Sequence, residues 1–159
     1  MRRGIAVGFG LGTAALVSFV VTLIAADAFI GTWKLDPSKS HYSPGNVPQS
    51  NTLKVEAVGT DGIKVTTDGV NAAGQKTHTE YSAKFDGKDA AITGNPNANM
   101  VSVKRIDDHS METTFKKDGK VMVVAKTVVS KDGKTRTTTT TGIDAEGRTV
   151  HNVAVYEKQ

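Results

Sequence analysis

An all-β domain is what this sequence predicts, an antiparallel up-and-down β-barrel of about 8–10 strands, and three observations predict it. Asp-Gly occurs five times, at Asp61-Gly62, Asp68-Gly69, Asp86-Gly87, Asp118-Gly119 and Asp132-Gly133. Such pairs between alternating runs are the strongest short-range signal for a hairpin turn. Between them the side chains alternate with period two, as in Leu53, Val55 and Ala57 against Thr52, Lys54 and Glu56. One face is therefore buried and the other wet. The runs also follow one another almost without interruption, which favours a meander that closes on itself and leaves no exposed edge.

The first 26 residues stand apart from this pattern. Met1-Arg2-Arg3 is basic and residues 4–26 carry no charge, as expected of a signal peptide or an N-terminal membrane anchor. Ala26 and Ala28 fit a small-residue cleavage site, while the uncharged run is long enough to cross a bilayer, for which about 20 residues are needed. With Arg2 and Arg3 held in the cytoplasm, either outcome places residues 27–159 outside it, periplasmic or secreted, or anchored in the inner membrane. Membrane contact is then expected only through residues 4–26, if they are uncleaved. Residues 27–159 suit one domain with one core, and a monomer is expected.

The first run, residues 29–35, holds Trp33, the only tryptophan. The link that follows, residues 36–50, carries Pro37, Pro44 and Pro48. It has room for one helical turn at most, capped by Asp36 with Pro37 at its first position. Nine further strands are expected over 51–58, 62–68, 75–85, 89–93, 99–106, 110–117, 120–130, 134–143 and 148–157. Tyr81, Ala83 and Phe85 alternate with Glu80, Ser82 and Lys84, and Met111, Thr113 and Phe115 with Glu112, Thr114 and Lys116. Residues 135–141 contain six threonines, which suits a two-sided polar strand.

Charge and chemistry-bearing residues exclude several functions. The net charge is +4, but without Arg2 and Arg3 the basic residues number 18 against 16 acidic ones, interleaved along the chain. No basic patch for nucleic acid is present. The absence of cysteine excludes disulfides, thiol catalysis and cysteine-held metal. His41, His78, His109 and His151 show no metal-binding spacing, so neither metal nor cofactor is expected. Asp107-Asp108-His109 has the residue types of an acid/base site, but consecutive turn residues diverge. Ser43, Ser82 and Ser130 lack the G-x-S-x-G setting of a nucleophile elbow. No enzymatic activity is expected.

Two end motifs carry a resemblance. Asp27-Ala28-Phe29-Ile30-Gly31-Thr32-Trp33-Lys34-Leu35 resembles the first strand of the fatty-acid-binding proteins, and Val155-Tyr156-Glu157-Lys158 resembles their last. Gly31-x-Trp33 is also similar to the first-strand signature of the lipocalins, and both groups are calycins. The internal segments His78-Thr79-Glu80-Tyr81, Lys104-Arg105-Ile106-Asp107 and Val129-Ser130-Lys131-Asp132-Gly133-Lys134 resemble uncharacterised exported bacterial lipocalin-like proteins. The resemblance implies a structural role for Gly31 and for Trp33, as a plug across the closed end. It also implies an Arg-x-Tyr pair on the last strand and a second arginine on the strand before, holding a ligand carboxylate. Of these only Tyr156 carries over, because Ala154 and Thr140 stand where the arginines are expected.

Without that pair the interior is expected to favour neutral apolar ligands, unless Arg105 or Arg136 serves as a substitute inward cation. Ligand-binding candidates are therefore Tyr156, Arg105 and Arg136, joined by Tyr81, Phe115 and Met111 on the buried faces. The expected function is reversible binding or carriage of a small, partly apolar molecule, hydrophobic or amphipathic, without catalysis. The alternative is a ligand-free envelope or stress-response module with a filled barrel that contacts another protein.

Overall fold

The computed structural model describes residues 27–159. The expected signal or anchor, residues 1–26, lies outside the described residues. The alternating runs form ten strands: β1 (Gly31–Leu35), β2 (Ser50–Val58), β3 (Gly62–Val70), β4 (Lys76–Lys84), β5 (Asp86–Thr93), β6 (Met100–Arg105), β7 (Ser110–Lys117), β8 (Lys120–Val129), β9 (Thr135–Ile143) and β10 (Thr149–Lys158). Each pairs antiparallel with its neighbours in sequence, and β1 pairs with β10 to close the barrel. The shortest ladder is β4–β5, paired only at Glu80↔Thr93 and Tyr81↔Ile92.

The Asp-Gly turns divide into two kinds. Asp118 and Gly119 both have positive φ (50° and 80°) and join β7 to β8 in the left-handed backbone that a tight hairpin requires. Asp132 holds the β8–β9 turn by accepting from Ser130 Oγ at 2.6 Å and Lys134 N at 3.1 Å. Asp68-Gly69, expected as a turn, instead lies inside β3, and Asp86-Gly87 opens β5 at a register shift. A Cβ at Gly69 would stand 2.5 Å from Ser50 O, so glycine is needed there for close strand approach. The true β3–β4 turn follows at residues 71–75, where Asn71 Oδ1 accepts from the backbone N–H of Ala73 and Gln75.

One end is closed by the segment before β1. Phe29 and Trp33 are fully buried, and Trp33 Nε1 donates to Phe29 O at 3.1 Å, which satisfies the indole as it fills the barrel. The plug belongs to one apolar core with Val55, Ile63, Val103, Met111 and Val129. Gly31 (φ 137°) gives Lys158 room to cross, since a Cβ there would meet Lys158 Cε at 2.7 Å. Lys158 Nζ then sits 5.0 Å from the Trp33 ring centroid.

At the other end the link between β1 and β2 forms an irregular strap. Asp36 caps a 3-10 turn (Pro37–Lys39), accepting from Ser38 N at 3.0 Å. Beyond it the chain runs beside β10, exchanging backbone hydrogen bonds between His41 and Val153 and between Ser43 and His151. That pairing carries on the edge begun by β1, while Tyr42 and Val47 turn onto the core.

Candidate functional site

The site is built by alternation on β8, β9 and β10. Arg136 pairs with Tyr156 on one side and Val129 on the other, and Thr138 with Ala154 and Thr127. Thr140 pairs with Asn152 and Ala125. These β9 residues, two apart, share the inner face and line a chamber of about 180 Å³. Thr67, Thr79, Thr113 and Thr127 add hydroxyl-bearing side chains, Asn51 and Asn95 add amides, and Leu53, Val65, Ile92 and Phe115 add apolar surface. A second recess of about 230 Å³ shares Asn95, Phe115 and Thr140 with the chamber and opens among Met122, Val123, Ile143 and Val150. The two therefore have part of their walls in common.

Arg136 is the chemical centre. It is 4% exposed, and its Nε and Nη1 are buried without a protein hydrogen-bond partner among the described residues. Among the described residues no carboxylate lines the chamber. Burial pushes the guanidinium below its ordinary pKa, opposed by the nearby Tyr81 and Tyr156 phenols. Burial pushes both phenols up, opposed in part by the Arg136 charge. Tyr42 on the strap is likewise raised by burial, opposed in part by Tyr156. Asn51 Oδ1 is a further buried polar atom without a partner, whereas Thr127 Oγ1 and Thr138 Oγ1 satisfy each other at 3.0 Å. A buried guanidinium without a carboxylate is costly unless something compensates it.

Of the residues expected from sequence, Tyr81, Phe115, Arg136 and Tyr156 come together around the chamber. Arg105 and Met111 do not. Arg105 forms an ion pair with Asp27 at the closed end and lies over the Phe85 ring (4.1 Å) and the Phe29 ring (5.2 Å), so its charge is used in latching the plug. Met111, 1% exposed, belongs to the apolar packing near that end. Of the two arginines that could have served as a substitute inward cation, Arg136 is the one that stands inside, and the chamber is cationic. Asn51, Asn95 and the inward threonines were missed by sequence reasoning. Their signal was alternation itself, which sends Thr138 and Thr140 inward with Arg136.

A cleft of about 580 Å³ at the closed end carries both signs of charge, with Arg105, Lys131 and Lys158 facing Asp27, Asp108 and Asp132. The neighbouring Asp107 carboxylate accepts from His109 N at 2.8 Å, and that backbone bond holds its pKa down. This binds the turn to itself.

No protein-family profile matches this chain, and no curated protein sequence does. Among solved structures the barrel is similar to the fluorescent protein UnaG, at 16% identity and a TM-score of 0.55, over 82% of this chain and 97% of that one. It is also similar to the zebrafish ileal bile acid-binding protein complexed with cholic acid, at 17% identity and a TM-score of 0.52, over 83% and 99%. At such identities the likeness establishes the fold alone, a ten-stranded closed antiparallel barrel.

Proposed function

We propose that residues 27–159 reversibly bind or carry a small, partly apolar molecule inside the barrel, with no catalytic step. The observation that carries this reading is the chamber lined by Arg136, a buried cation whose Nε and Nη1 have no hydrogen-bond partner among the described residues. Two chemistries are available, polar contacts in the inner chamber and apolar contact beside Met122, Val123, Ile143 and Val150. The likeness to a bile acid-binding protein that holds cholic acid supports a small molecule as partner. The basic, then uncharged, stretch of residues 1–26 supports an extracytoplasmic site of action.

One observation favours the second reading, a ligand-free interaction module. The inner chamber is smaller than the roughly 300–1,000 Å³ of drug-sized ligand pockets. Native mass spectrometry of the protein purified from its own envelope, with extraction of what co-purifies, separates the two. Ligand binding predicts a non-covalent adduct, whereas a bare mass in every preparation supports the module.

A further inference from the structure

The inner chamber differs in character from a pocket for a long apolar tail. It is small, its apolar wall of Leu53, Val65, Ile92 and Phe115 is matched by hydroxyl and amide side chains, and it holds unpaired polar atoms of both kinds. Arg136 Nε and Nη1 are donors without partners, and Asn51 carries an unpaired amide oxygen or, with its amide turned over, an unpaired nitrogen. We propose that the chamber is a binding site for a compact hydroxylated monocarboxylate, its carboxylate on Arg136 and its hydroxyl on Asn51. The inference rests on the interior-binding reading above and specifies the ligand class.

The charge argument comes first. Arg136 is a single positive charge with no carboxylate beside it in the chamber, so one negative charge balances it and two would leave an excess in a poorly solvated space. A carboxylate also satisfies guanidinium donors with charge-assisted hydrogen bonds, which a neutral alcohol cannot match. The hydroxyl argument is independent. A plain carboxylate would pair Arg136 and leave Asn51 unmet, whereas a hydroxyl can donate to the amide oxygen or accept from the amide nitrogen. Size supplies the third constraint. At about 180 Å³ the chamber holds the volume of roughly six waters. That is enough for a short acid and too little for a long chain, which would have to thread past Phe115 into the outer recess.

The test compares matched acids on the whole domain by calorimetry and by the NMR signal of Arg136 Nε–Hε. The probes are lactate, 3-hydroxybutyrate and mandelate, their deoxy counterparts propionate, butyrate and phenylacetate, uncharged 1,3-butanediol, and dodecanoate. The expected result is that at least one hydroxy acid binds about 10-fold or more tightly than its deoxy counterpart, because only it meets the unpaired amide. It should also shift the Arg136 signal, and Arg136→Gln should abolish that binding. The main comparison needs no variant, so a misfolded Arg136→Gln would not remove the test; Asn51→Ala should independently bring hydroxy and deoxy acids to equal affinity. Tightest binding by dodecanoate, or binding of butanediol with Arg136 unmoved, would overturn the ligand class while leaving interior binding intact. Failure of every probe, together with a bare mass from the native envelope, would overturn both.

Discussion

One part of the interior is filled by Trp33, Val55, Ile63, Val103 and Met111, whereas another part of the same sheet turns Thr67, Thr79, Thr113, Thr138 and Thr140 inward around Arg136. Alternation is equally regular in both halves, so the pleat alone does not separate them. The difference lies in what the inward positions contribute. The apolar half removes large side chains from water, at roughly 1.5–3 kcal/mol each, and supplies the driving force for closure. The polar half buries groups that gain little from leaving water, one of them a cation. Stability and recognition are thus assigned to different parts of one interior.

The largest effect should come from breaking the apolar half. Trp33→Ala removes the plug and its bond to Phe29 O, and should cost about 3–5 kcal/mol in urea denaturation. A comparable loss on replacing one inward threonine by valine would erase the contrast between the halves.

The buried phenols provide the next test, through pH. Tyr156 and Tyr81 hold their protons more tightly in the folded barrel than in the unfolded chain, whose ordinary value is 10.0. Their contribution is therefore fully present below pH 10 and is lost as pH rises from there toward the folded values. Tyr156→Phe should reduce the alkaline fall in stability by up to about 1.4 kcal/mol per pH unit above 10, with no change of slope at neutral pH. Equal slopes in wild type and variant above pH 10 would place the Tyr156 hydroxyl in solvent.

The smallest effect should come from the outer face. His78 Nδ1 and Asp68 Oδ1 lie 2.7 Å apart, but both side chains are more than half exposed. Asp68→Asn should change the melting temperature little, as expected for a surface pair contributing about 0–1 kcal/mol.

These contrasts also explain what could be read from sequence. Turn chemistry and period-two alternation are local, so the ten strands and the buried Trp33 were legible. Asp68-Gly69 misled because a turn glycine and a glycine admitting the Ser50 carbonyl look alike along the chain; only the neighbouring strand distinguishes them. Arg105 and Arg136 were equivalent candidates on their strands. They part company because Asp27 reaches Arg105 from the plug segment, while the residues across from Arg136 are Val129 and Tyr156. Thr140 was aligned with the second ligand arginine of the fatty-acid-binding proteins, yet the barrel places the inward cation four residues earlier, opposite Tyr156.

The central claim is that Arg136 serves the chamber's contents and not the framework. Urea denaturation of ligand-free Arg136→Met beside wild type tests it most directly. Methionine fills much of the same space without a buried charge, so the variant should be more stable than wild type, by about 1–4 kcal/mol. A variant less stable by a similar amount would show that the barrel itself depends on the Arg136 charge, and would contradict the account.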